Sequence, residues 1–116
     1  MSETKLGVSE NIAGLLAYLL GWISGIILLI IEKDNKFVRF HAAQSTVLYV
    51  GLFVLNFIIG FLTSIDYIGF IFALISLLIT LVSLVLWFFL MYKAYKGEMY
   101  RLPVIAEYAD QLEQKF

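Results

Sequence analysis

The chain has 116 residues, 62% of them hydrophobic and 15% charged, with a net charge of −1 and no cysteine. Soluble domains carry roughly 45–50% apolar and about 25% charged residues, so lipid must solvate much of this surface. The balance of charge excludes a basic nucleic-acid groove, and the missing cysteine excludes disulfides, thiolate metal sites and thiol catalysis.

Residues 1–11 are polar and lack the basic n-region and small-residue cleavage site of a secretory signal, so the first hydrophobic segment is expected to be retained. Ser9 or Asn11 is placed to cap the helix that follows. Residues 12–31 carry no charge over twenty positions. As a helix they would reach about 30 Å, the thickness of a hydrocarbon core. Residues 42–65 and 67–92 are also uncharged and long enough to cross with some tilt. Strands are ruled out, because an open sheet edge in lipid has no partner for its backbone groups.

Between the first two runs lies the main polar interruption, residues 32–45, with five charges and the only histidine of the chain. Asp34-Asn35 is its expected turn. The link near residues 63–67 is short, which makes the helices on either side antiparallel neighbours, and Asp66 is read as a cap or turn residue. Gly97 is expected to end the third long helix, and Pro103 to open a new one. Beyond it Ile105, Tyr108, Ala109, Leu112 and Phe116 recur at spacings of three and four, opposite Glu107, Asp110 and Glu113.

The expected fold is an all-α membrane protein forming a single integral membrane domain over residues 1–116. Three transmembrane helices lie near residues 12–31, 42–63 and 68–95, with a C-terminal amphipathic cytoplasmic or interfacial helix near 103–116. Seven of the eight cationic side chains, all but Lys5, fall on one side of such a topology. The positive-inside rule makes that side cytoplasmic, so a multi-pass protein of the inner or plasma membrane is expected, with its N-terminus outside and its C-terminus inside.

Helix packing is expected at small residues. Ala17, Gly21 and Gly25 stand four apart on the first predicted helix, and Gly21-Trp-Ile-Ser-Gly25 is a GxxxG, which serves either a second copy or a neighbouring helix of the same chain. Ala73, Ser76, Thr80 and Ser83 make a similar seam on the third, and Asn56 on the second needs a hydrogen-bonding partner in lipid. His41, Gln44 and Ser45 share a helical face, with Arg39 just before them, and the four are the expected interaction residues, Arg39 and His41 binding acids of the tail or of a partner. His41 is either a titrating group near neutral pH or a structural one. No catalytic constellation is present, no second histidine or intramembrane carboxylate supports a metal, and no cofactor is called for.

The strings Ala17-Tyr-Leu-Leu-Gly-Trp-Ile-Ser-Gly25, Ile31-Glu-Lys33 and Phe37-Val-Arg-Phe-His-Ala-Ala-Gln-Ser45 resemble small prokaryotic membrane proteins similar to the chloroplast import component Tic-twenty. Tyr92-Lys-Ala-Tyr-Lys-Gly-Glu98 and Arg101-Leu-Pro-Val-Ile105 match that ending too. The resemblance implies a component of a membrane protein complex, or of protein transport or biogenesis, and assigns no chemical role to Arg39, His41, Gln44 or Ser45. The expected function is therefore non-enzymatic association in the bilayer, with itself or another membrane protein and without nucleic acid. The alternative is a small oligomeric channel or transporter.

Overall fold

The computed structural model describes residues 4, 5 and 7–115. Phe116, the last apolar position expected on the amphipathic helix, lies outside them. Five helices follow one another: α1 (Glu10–Leu19), α2 (Trp22–Ile31), α3 (Lys36–Leu62), α4 (Gly69–Tyr95) and α5 (Ile105–Lys115).

The architecture corrects the expectation of three spanning helices with a separate amphipathic tail. Two helices, α3 and α4, are long and apolar enough to cross a membrane. The predicted first span is broken in two at Leu20-Gly21, where Gly21 has φ 65° and ψ −134°, a region essentially closed to residues with a Cβ. Each half has ten residues, about 15 Å, which is half a hydrocarbon core. An uncharged run of twenty residues has the length of a span, but length alone does not keep it straight.

The two halves fold back as a hairpin. Asn11 Nδ2 donates to the Tyr95 carbonyl (3.0 Å) and Trp87 Nε1 to the Tyr18 carbonyl (2.8 Å), so α1 runs antiparallel to α4. Ser45 Oγ donates to the Gly21 carbonyl (3.0 Å) and Arg39 Nη1 to the Leu29 carbonyl (2.9 Å), so α2 returns antiparallel to α3. The open end is closed by the Lys5 amide on Glu32 Oε1 (2.6 Å) and Asn35 Nδ2 on Glu10 Oε2 (3.2 Å). Residues 4, 5 and 7–11 therefore lie at the same end of the molecule as the end of α4. The predicted alternation of termini rested on three crossings and loses its premise.

The polar stretch also folds differently from the expectation. Helix α3 starts at Lys36, six residues before the predicted boundary, because the Asn35 side chain caps it by accepting from the Val38 amide (3.1 Å). The link before it shrinks to residues 32–35, and Arg39, His41, Gln44 and Ser45 all sit on the first turns of a helix. At the other end α4 closes with the Glu98 amide on the Lys93 carbonyl and the Gly97 amide on the Ala94 carbonyl (both 3.0 Å), the Schellman pattern. Helix α5 begins at Ile105, two residues after Pro103, and packs on α3.

Burial divides the molecule along its 54 Å length. Ala13, Ala17, Leu28, Leu29, Val38, Ala42, Ala43 and Ala109 form one core cluster, and Tyr18, Leu48, Leu90, Ala94 and Leu102 a second. All lie toward the end that carries Lys36 and Lys93, the basic end. Of the most apolar window of α4 only 6% is buried, and of that of α3 22%. Helices so apolar and so uncovered cannot be core helices of a soluble fold. The chain is an integral membrane protein with at least two membrane-spanning helices.

Candidate functional site

The first turns of α3 project a row of polar side chains into the basic-end core, and each ties a different segment to it. Ser45 holds the hairpin turn through the Gly21 carbonyl. Arg39, 8% exposed, donates to the last turn of α2 at Leu29 and to the Glu113 carbonyl of α5 (2.7 Å), with the Glu113 carboxylate 4.0 Å from its Nε.

His41 and Gln44 are fully buried. Their proton assignment follows from the partners. His41 Nε2 lies 2.8 Å from the Glu98 carbonyl, which can only accept, so Nε2 carries the proton. Nδ1 is then the acceptor for the Tyr18 hydroxyl at 2.8 Å. Gln44 Nε2 donates to that hydroxyl oxygen and to the Tyr100 carbonyl (both 2.9 Å), while its Oε1 accepts from the Leu102 amide (2.9 Å). Both nitrogens of the neutral ring and every hydrogen-bonding atom of the amide are engaged. Tyr18, Phe37 and Phe40 enclose the imidazole edge-on at centroid distances of 5.4, 4.6 and 5.0 Å. Glu98 meets His41 through its backbone; its carboxylate pairs with Lys93 at 2.9 Å. Glu32 lies against Lys5 rather than His41, with Oε1 accepting from the Lys5 amide and Oε2 buried without a partner among the described residues.

The hairpin turn needs a comparable set of bonds. Irregular backbone away from water is tolerated only where protein groups satisfy it, since each unpaired group costs several kcal/mol. Ser24 Oγ accepts from the Leu20 amide and donates to the Ala17 carbonyl (both 3.1 Å), and Trp87 and the Gly21 amide share the Tyr18 carbonyl. Gly25 lets α2 approach α3: a Cβ there would stand 2.6 Å from Thr46 Oγ1 and 2.9 Å from the Ala42 carbonyl. Ala17 is buried on α1 and Gly25 on α2, so the predicted small-residue row is divided between two helices by the break at Gly21.

The remaining predicted residues lie elsewhere. Asn56, Thr80 and Ser83 line a cleft of about 400 Å³ beneath the hairpin turn, together with Gly21, Tyr49 and Trp87. Thr80 and Ser83 bond back to their own helix at Ser76 and Ile79. Ser76 thus contributes its carbonyl, and Asn56 is exposed on the flank of α3. Sequence reasoning missed Tyr18, Ser24 and Trp87. The available signals were a hydrogen-bonding aromatic well inside an apolar run and a serine between two glycines.

A family model described as the magnetosome magnetite crystal formation protein family matches residues 3–109. The chain belongs to that family. It is 47% identical over 114 residues to a UPF0132 membrane protein of Methanocaldococcus jannaschii, covering 98% of this chain and 97% of the relative. It is 43% identical over 104 residues to a UPF0132 membrane protein of Archaeoglobus fulgidus, covering 90% and 95%. A second Methanocaldococcus jannaschii relative of the same description is 40% identical over 111 residues, covering 96% and 75%. No solved structure matches the chain. The likeness is thus to small prokaryotic membrane proteins of the magnetite crystal formation and UPF0132 description, and does not single out the chloroplast import component.

Proposed function

We propose that this is a non-enzymatic protein of the inner or plasma membrane that works by association within the bilayer. In this reading α3 and α4 cross, α1 and α2 enter from the basic end and turn back near the midplane, and α5 and residues 98–102 form a platform on the cytoplasmic side. The N-terminus then joins the C-terminus in the cytoplasm, and Lys5 joins the other seven cationic side chains there, as the positive-inside rule favours. Support for the embedded hairpin comes from its outward row Ile23, Ile27 and Ile30, each about half exposed.

The observation that carries the association is the outer half of the molecule. There α3 and α4 form a two-helix pair with almost no core, and the Asn56 amide stands exposed at a depth where lipid offers no hydrogen bond. A second copy or another membrane protein supplies both a helix face and an amide partner. Arg39, His41, Gln44 and Ser45, whose bonds run inside the chain, build the platform rather than meet the partner. Cross-linking in native membranes followed by native mass spectrometry should recover a stable oligomer or a recurring partner, weakened by Asn56→Leu. A strictly monomeric, partner-free protein sinks the reading.

Magnetite formation is said of the family and is not carried to this chain. Among the described residues no group of three or more His, Asp or Glu side chains is gathered that could hold a metal ion, so the donor set gives an iron site no support. A place in protein transport rests on the resemblance of residues 17–25, 31–33, 37–45, 92–98 and 101–105 alone.

A further inference from the structure

The fold distributes helices unequally across the membrane. At the basic end α1, α2, α3 and α4 lie side by side, with α5 packed over them; at the outer end, among the described residues, only α3 and α4 continue. A helix with its side chains is about 10 Å across, or about 80 Å² in section, so one leaflet holds about twice the helical cross-section of the other. We propose that the protein is a one-sided wedge that concentrates on, and promotes, membrane curved convex toward its basic end.

Stiffness decides whether such a shape acts on lipid or yields to it. The broad half is the stiff half. Buried positions of α3 run from Val38 to Leu48 and then stop except for Ile59, and those of α4 are Leu90 and Ala94 apart from Gly69 at its start. The hairpin is pinned at its tip by Trp87 on Tyr18 and Ser45 on Gly21, along its length by Gly25 against Ala42, and at its mouth by Lys5 on Glu32 and Asn35 on Glu10. It can neither straighten into a third crossing nor lift out without leaving backbone groups at the turn unpaired in hydrocarbon. Its outer face, Leu20, Ile23, Ile27 and Ile30, remains apolar and displaces acyl chains of one leaflet only. Meeting through the narrow half would tilt two such wedges apart at their broad ends and add to the same bend.

The inference rests on the half-depth placement of α1 and α2 and does not need the association. Depth is tested first. Trp22, at the hairpin tip, is read as the difference in emission between the native chain and its Trp22→Phe variant, both of which keep Trp87 on the Tyr18 carbonyl. In vesicles of phosphatidylethanolamine and phosphatidylglycerol, bromines near the acyl-chain ends should quench it more than bromines near the headgroups. The reverse order overturns the placement and the wedge together.

Curvature is then read on single vesicles of mixed size, using the full chain with one introduced cysteine labelled from outside by an impermeant fluorescent maleimide. Gln114→Cys reports molecules whose broad end faces outward, and Tyr67→Cys, in the fully exposed outer turn, reports the opposite insertion. Label density at Gln114 should rise severalfold from large extruded to small sonicated vesicles, and density at Tyr67 should fall. Densities independent of vesicle radius at both sites, with Trp22 deep, overturn the wedge and leave the placement standing.

Discussion

Gln44 ties α1 to the segment that follows α4, with one bond to Tyr18 and one each to Tyr100 and Leu102. Replacing it by alanine leaves the Leu102 amide and the Tyr100 carbonyl without their partner, at about 1–3 kcal/mol for the buried Leu102 amide. Gln44→Ala should therefore lower the thermal unfolding midpoint in detergent and raise amide exchange across residues 98–102. Gln44→Glu should fare no better, since a carboxylate oxygen would face the Tyr100 carbonyl. At Gly21 the backbone alone decides: Gly21→Ala puts a Cβ in a conformation costing about 1–3 kcal/mol, 3.3 Å from the Tyr49 ring. Gly25→Val instead forces α2 away from α3, an overpacking cost of about 1–3 kcal/mol. Circular dichroism melts in detergent should show both losses, and a midpoint unchanged at Gly25 would mean that α2 does not pack as described. The Arg39–Ser45 string was legible as a concentrated polar face. Its destinations were not, because they are mostly backbone atoms of distant segments, which no side-chain pattern records.

Among the elements, α5 answers most directly to pH. The Arg101 guanidinium donates two bonds to Asp110, at 3.1 and 2.6 Å, and these hold its carboxyl below the ordinary carboxylate range. Glu113 shifts the other way: burial raises it by more than the Arg39 charge lowers it. The depressed Asp110 favours docking above its unfolded value of about 3.9 and loses that contribution as pH falls through the lower folded value. The raised Glu113 favours docking below its unfolded value of about 4.3 and loses that contribution as pH rises through the higher folded one. Acidification from neutral to about pH 5 should thus leave α5 docked or slightly tighter, with release only below about pH 3.9. Amide exchange at Ala106 and Ala109, both buried in the docked helix, measures it; release near neutral pH would contradict the assignment. The α5 amphipathic pattern was legible from the three-and-four spacing. The early start of α3 is less legible, because the charges of residues 32–39 have the composition of a loop and the Asn35 cap is the one local sign of a helix among them.

At the scale of the whole molecule, the proposed topology puts both termini and all eight cationic side chains on one side. The absence of cysteine makes this testable with single replacements. In intact cells an impermeant maleimide should label Tyr67→Cys and leave Thr4→Cys and Gln114→Cys unlabelled until the membrane is opened. Labelling at Thr4 without opening would return the N-terminus to the outside. By itself the sequence determined the class of solvent and the helical backbone, since uncharged runs of twenty or more residues can hydrogen-bond only to themselves in lipid. It also determined the antiparallel pairing of α3 and α4, the glycine stop after α4 and the polar face of α3. Only the tertiary structure decided whether the first run crosses or turns back. That choice depends on partners for the backbone groups freed at Gly21, and of these only Ser24 and the Gly21 amide are local, while Ser45 and Trp87 come from other helices.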